Sequence, residues 1–271
     1  MAAWKNWEDL TIADDYMFKL VMSHKHICKH LLEMILGIRI RELREPEAEK
    51  AMKNAYESKG IRLDVYIEDD ANTVYDIEMQ VRPYPGDILG HRTRYYQSVI
   101  DFDALQRGAK YDKLKTSIII FICPFWLFES DRHIFTFKST CQEDTSILLD
   151  DGTSKIFLST KGTMDDVTPE VKNFLDYVDG LPVQDGFVDE LRNLIGKLKN
   201  DEREKGNYMT FQMKIDEERA EARAEGLAEG IRAMVSNMKE LSIDRARAVK
   251  QVMKHFSMSE KDALSAVDAN W

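Results

Sequence analysis

Asp64 and the run Glu78-Met79-Gln80 lie in two adjoining stretches whose side chains alternate in polarity. In Ile61–Glu68 the apolar positions are Leu63, Val65 and Ile67, and Asp64, Tyr66 and Glu68 fall on the other face. In residues 74–82 the apolar set is Tyr75, Ile77, Met79 and Val81, opposite Asp76, Glu78 and Gln80. A period of two marks half-buried strands. Between them, Asp69-Asp70-Ala71-Asn72-Thr73 has the composition of a hairpin turn. Matching the apolar faces needs an odd loop, and a loop of Asp70, Ala71 and Asn72 sets Asp64 directly across from Glu78. Two carboxylates roughly 5 Å apart on facing strands repel each other. A divalent cation removes that repulsion, and an ion held by few carboxylates, with water elsewhere, suits phosphodiester hydrolysis. From the pattern alone, an ordinary wet strand face accounts for the same carboxylates equally well.

The flanking elements can be read from their periodicities. Residues 14–36 predict one helix, with Phe18, Val21, Met22, Cys28, Leu31, Leu32 and Ile35 at three- and four-residue steps. Asp14 or Asp15 is its cap and Gly37 its C′ residue. The charge-rich stretch after it leaves room for an edge strand within residues 38–57. Residues 82–86 (Arg-Pro-Tyr-Pro-Gly) break regular structure, and residues 91–105 predict a second helix with Tyr95, Val99 and Phe102 in step. Residues 116–122 are β-branched almost throughout, as in a strand covered on both faces. A Phe-rich run at 134–137, a short strand at 155–158 and helices around 173–177 and 191–198 follow. The order of elements fits an α/β sheet with helices packed on it.

From about Asp201 the composition turns to Glu, Ala and Arg, with a broken apolar stripe interrupted by Gly226 and Gly230. Ser242 is a candidate cap for a helix over 243–256, and Ser259 opens a capping-box-like start for the last one. Two units are expected: a core domain over residues 1–200 and a helical tail over 201–271. The tail is an oligomerisation or regulatory module that pairs with itself, making a homodimer, or with the core.

The chain has 271 residues, 44% of them hydrophobic, which suits a globular protein. Three cysteines in no metal-binding spacing and a first stretch without an apolar h-region point to a reducing, cytoplasmic setting. Residues 118–128 form the longest apolar stretch; Pro124 interrupts it and it is too short for a bilayer, so no membrane role is expected. The formal charge of −10 weighs against nucleic acid. Locally the sign reverses: residues 82–115 hold seven Lys or Arg (Arg82, Arg92, Arg94, Arg107, Lys110, Lys113, Lys115) against four Asp. His24, His26 and His30 lack an HExxH pattern or a third ligand and read as surface residues.

Several segments in this order resemble the PD-(D/E)XK nuclease family often described as transposases, the recombination-promoting nuclease type of bacteria. They are Asp15-Tyr16-Met17-Phe18-Lys19, Lys59-Gly60-Ile61-Arg62-Leu63-Asp64-Val65, Tyr75-Asp76-Ile77-Glu78-Met79-Gln80, the helix over 92–101, and Asp151-Gly152-Thr153-Ser154-Lys155-Ile156-Phe157-Leu158. The resemblance covers about residues 11–200. It implies a restriction-endonuclease-like mixed sheet flanked by helices, with an α-helical C-terminal tail. It further implies a metal-dependent DNA endonuclease of little sequence specificity, linked to recombination, mobile elements or phage defence. Asp64 and Glu78 would then be catalytic carboxylates holding Mg2+ (Mn2+ as a substitute), the Met79 carbonyl a third ligand and Asp15 a supplementary acid. Gln80 stands where the superfamily usually has lysine, and Leu63 where its signature has proline. Glutamine is neutral and cannot act as a base near pH 7. DNA would be contacted by Arg92, Arg94 and Tyr96. The Gln80 replacement and the acidic balance motivate another reading, a non-catalytic interaction protein that keeps the nuclease fold.

Overall fold

Alternating apolar residues, β-branched runs and helix-spaced stripes resolve into six strands and eight α-helices in a computed structural model that describes residues 4–52, 61–83, 88–105 and 110–271. The Lys59-Gly60 start of one family-like segment, the Tyr84-Pro85-Gly86 break and Arg107 lie outside the described residues. The chain divides into two units, Met1–Glu202 and Arg203–Trp271.

The first unit runs α1 (Asp15–Met22), α2 (Lys25–Leu36), β1 (Glu47–Met52), β2 (Ile61–Glu68), β3 (Val74–Met79), α3 (Leu89–Ala104), β4 (Ser117–Cys123), β5 (Ile134–Phe137), β6 (Thr153–Ser159), α4 (Pro169–Val178) and α5 (Gly186–Lys199). Its sheet has the order β1-β2-β3-β4-β6-β5. Pairing is antiparallel from β1 to β3, parallel across β3, β4 and β6, and antiparallel again at β5. This mixed sheet flanked by helices is the restriction-endonuclease-like α/β architecture that the resemblance implies.

The single helix expected over residues 14–36 is two. Ser23 Oγ donates to the Leu20 carbonyl at 2.7 Å, and His24 Nδ1 lies 3.1 Å from the same oxygen. Side chains that bond nearby carbonyls offer the backbone an alternative to the next helical turn. His24 takes extended dihedrals and α2 starts after it. Gly37, at φ 63°, closes α2 in the left-handed conformation that favours glycine.

The turn between β2 and β3 obeys the predicted geometry. Asp69 N–H donates to the Thr73 carbonyl at 3.0 Å, which encloses a three-residue loop ending in Asn72 at φ 63°. Asp69 Oδ1 accepts the Ala71 and Thr73 N–H groups at 2.9 and 2.7 Å, and Oδ2 accepts the Tyr75 hydroxyl at 2.8 Å. The register pairs Val65 with Ile77 and Tyr66 with Asp76. Continued one step outward, it sets Asp64 across from Glu78.

The polar face of β3 is not wet. Asp76 is 0% exposed and Glu78 3%, because β3 is interior to the sheet and α3 covers that face. Leu89, Tyr96, Val99 and Ile100 of α3 share a core with Tyr66, Ile119 and Phe121, and Gln97 donates to Ser117 Oγ at 2.6 Å. Ile120 and Ile122, on the opposite face of β4, are equally buried.

The second unit holds α6 (Glu202–Glu240), α7 (Arg245–Phe256) and α8 (Glu260–Asp268). Ile231 and Val235 of α6 pack with Ala248, Val249 and Val252 of α7 and with Ala263 and Val267 of α8. Ser259 caps α8 by accepting the Asp262 N–H at 3.2 Å. The cap of α7 is Asp244 rather than Ser242: its carboxylate accepts the Arg247 N–H at 3.0 Å, while Ser242 sits at φ 55° in the turn. Among the described residues no helix is long and apolar enough to cross a membrane.

Candidate active site

The β2–β3 ladder ends where the carboxylates begin. Asp64 N–H donates to Glu78 Oε1 at 2.8 Å, and Met79 N–H donates to Asp64 Oδ2 at 3.2 Å. Each acid thus takes an N–H of the facing strand, and these bonds fix both carboxyl groups at the mouth of the hairpin. On the other side of β2 the register with β1 steps over Glu49, which would pair with Asp64 and instead adopts φ 55°. That is a sparsely populated conformation for a residue with a Cβ.

Two cations enter from opposite helices. Lys19 of α1 reaches Asp15 Oδ2 at 2.8 Å, Asp64 Oδ1 at 3.2 Å and Glu49 Oε1 at 3.3 Å, with 11% of its side chain exposed. Burial alone would lower its pKa; Asp64 and Asp15 outweigh that and raise it, so the ammonium stays charged. Arg92 of α3 reaches Glu78 Oε2 at 3.3 Å, Gln80 Oε1 at 2.6 Å and the Tyr96 hydroxyl at 2.6 Å.

The acids hold their protons more tightly than ordinary carboxyls. Burial pushes the Asp64 carboxyl up to about 6 against the pull of Lys19. Burial and the neighbouring Asp64 push Glu78 up to about 8. Asp76 lies beneath both; burial, then the charges of Glu78 and Asp64, raise it well above the usual carboxyl range. Among the described residues, neither Asp76 oxygen meets a hydrogen-bonding group other than the neighbouring Glu78 carboxyl. Carboxyls raised in this way lack a compensating charge.

A hard divalent cation fits that deficit. Among the described residues no three His, Cys, Asp or Glu side chains form a ready cage. The donors on offer are the Asp64 and Glu78 carboxylates, with the Met79 carbonyl next in the chain. Mg2+ is commonly held by one or two carboxylates while it keeps several waters.

Of the expected site residues, Asp64, Glu78, Met79 and Gln80 come together. Asp15 joins them only through Lys19. Arg92 and Tyr96 face the carboxylates from α3, Tyr96 being buried, whereas Arg94 is exposed on the same helix and outside this cluster. His26 and His30 sit by Glu190 at 3.6 and 3.8 Å, away from these acids. Lys19, Glu49 and Asp76 were not singled out from the sequence. The i, i+4 spacing of Asp15 and Lys19 and the alternation of Asp76 with Glu78 were the available signals.

Comparison with known proteins places the segment that holds this hairpin in a family. No curated protein and no solved structure gives a match. Residues 12–164, more than half of the chain, match the profile described as PD-(D/E)XK nuclease family transposase, a family whose nucleases generally use divalent metal ions. That span carries α1, the β2–β3 hairpin, α3, β4 and β6, and the chain belongs to the PD-(D/E)XK nuclease family transposases.

Proposed function

We propose that the protein is a metal-dependent DNA endonuclease that cuts phosphodiester bonds with little sequence preference. The observation that carries this reading is the Asp64–Glu78 pair: two carboxyl groups fixed by N–H groups of the facing strands, one half-buried and one buried, set side by side at the hairpin. Asp64, Glu78 and the Met79 carbonyl would hold Mg2+, with Mn2+ as a substitute. When bound, the ion supplies Lewis-acid stabilisation of the phosphodiester and acidifies the attacking water.

The chain's own residues orient and balance that site. The Asp64 N–H holds Glu78 Oε1 and the Met79 N–H holds Asp64 Oδ2, so neither carboxylate needs to reorganise. Lys19 pulls the Asp64 carboxyl down against its burial, and Arg92 pulls on Glu78 in the same direction without returning it to the ordinary carboxyl range. Asp15 fixes Lys19 as a supplementary acid. Gln80 has no basic nitrogen, so the proton from water does not go to that side chain. Contacts to the DNA backbone by Arg92, Arg94 and basic residues over 110–115 would position the duplex without reading bases. A role in recombination or mobile-element movement, in a bacterial cytoplasm, suits such an activity.

Plasmid nicking with Mg2+ or Mn2+ tests the reading. Wild type should convert supercoiled to open-circular DNA, and Asp64→Ala should abolish this. Equal inactivity of both proteins with either ion would overturn it in favour of a non-catalytic partner-binding protein. The helical unit is further proposed to form a homodimer. Sedimentation of a chain ending at Asn200 should then give a monomer where the full chain gives a dimer, and an unchanged association state removes the idea.

A further inference from the structure

Gln80 and Arg92 are a matched pair. Glutamine offers a side-chain carbonyl, and that oxygen accepts Arg92 Nη1 at 2.6 Å. The same guanidinium bonds Glu78 Oε2 at 3.3 Å and the Tyr96 hydroxyl at 2.6 Å. Its Cζ lies 5.2 Å from the Tyr96 ring centroid and 5.3 Å from that of Phe121. These three acceptors and two aromatic rings hold a long, flexible side chain in place. A lysine at position 80 has three donors and no acceptor. A lysine there could not accept from this guanidinium and would face it as a like charge.

Lys19 is the other cation within reach of the carboxylates. Its ammonium has three donors, and three carboxylates surround it at 2.8–3.3 Å, so its bonding capacity is committed. A guanidinium has five donors in a planar fork that matches phosphate oxygens. Arg92 stands beside Glu78, on the face of the sheet where Gln80 emerges.

We propose, resting on the nuclease reading above, that Arg92 supplies from α3 the positive charge that the signature lysine supplies from the strand, contacting a phosphodiester oxygen beside Glu78. Gln80 is then a positioning residue that acts only through Arg92. In this chain the cation beside Glu78 comes from the helix that covers the strand, and Gln80 accepts it through its side-chain oxygen while its amide donates to the Arg82 carbonyl.

The test is a double-mutant cycle with a transplanted lysine. Arg92→Gln should slow plasmid cleavage by about 10²–10³-fold at saturating metal. Gln80→Ala should slow it by about tenfold in the wild-type background and have no further effect beside Arg92→Gln. Gln80→Lys placed in the Arg92→Gln chain should restore at least tenfold of the lost rate, and alone should lower the rate because two cations then meet. Binding of a short duplex in Ca2+, followed by fluorescence anisotropy, gives a readout independent of turnover. Arg92→Gln should reduce its salt slope by about one ion. Cleavage by Arg92→Gln at the wild-type rate, an additive Gln80→Ala loss, or no rescue by the lysine overturns the proposal and leaves the nuclease reading standing. A wild type that cuts nothing with either ion removes both. Should Arg92→Gln fail to fold, Arg92→Lys keeps the charge without the fork. It must then cut at least tenfold more slowly than wild type, and equal rates overturn the proposal.

Discussion

Glu78 accepts the backbone N–H of Asp64 at 2.8 Å, so one acid of the pair is oriented by the main chain of the residue that carries the other. The strand that supplies Asp64 therefore also sets the direction of Glu78. Neutral isosteres keep this geometry and lose the charge. Asp64→Asn and Glu78→Gln should abolish metal-dependent cleavage. At pH 8 without metal, Glu78→Gln should stabilise the fold by about 1–3 kcal/mol, since it removes a buried like-charge repulsion. Urea denaturation of both variants against wild type checks the sign, and a destabilised Glu78→Gln would contradict it.

The pH dependence of stability has a definite direction. Asp64 and Glu78 titrate near 6 and 8 in the folded chain, above ordinary carboxyls. Between the ordinary range near 4 and those values, the folded protein binds more protons than the unfolded one. The stability contributed by these groups is present below pH 4 and is lost as pH rises through 6 and then 8. Metal-free melting temperatures should fall over that window, and less steeply in the Asp64→Asn, Glu78→Gln double variant. A matching slope in the two proteins would contradict the assignment.

Metal should reverse that trend. Divalent ions bind ionised carboxylates, so uptake should release protons and tighten as pH rises from 6 to 8. Calorimetric titration in two buffers of different ionisation enthalpy measures the proton release. The Mg2+-induced rise in melting temperature should be larger at pH 8 than at pH 6.

Lys19 joins three acids, and its removal leaves them facing one another. Lys19→Met should destabilise the protein by about 3 kcal/mol, the usual cost of stripping one partner from a buried charge cluster. The companion change Asp15→Asn should cost less, because its carboxylate is half exposed. Equal losses for the two would show that Lys19 serves only its own helix.

Gly37 offers a test of backbone alone. A Cβ added there meets nothing within 4 Å, yet φ is 63°. Gly37→Ala should therefore cost about 1 kcal/mol from conformation, with no steric share. Asn, which tolerates the left-handed region, should recover part of it.

What was legible in the sequence was whatever local pattern controls. The alternation in β2 and β3, with the odd loop between them, was enough to bring Asp64 opposite Glu78. The burial of Asp76 was not legible, because a polar alternate face looks the same whether water or α3 lies above it. Lys19 comes from a helix far from Asp64 in the chain, and Glu49 from a charge-rich stretch without the alternation that would have fixed its register against Asp64. Arg92 was visible as a cation on a helix. Its inward turn, toward Gln80, Glu78 and Tyr96, is revealed only by the packed helix and strand. The break at Ser23 and His24 was hidden by an apolar stripe that continues in step across it.

The hairpin turn carries a further implication for tolerance to change. Its three residues set the phase of β3, and a strand shifted by one residue exchanges its two sides. One extra residue between Asp69 and Thr73 would send Ile77 and Met79 up under α3 and drive Asp76 and Glu78 into the opposite layer. A length variant in that exposed loop, at the far end of the hairpin from Asp64 and Glu78, would erase the acidic pair more completely than substituting either member.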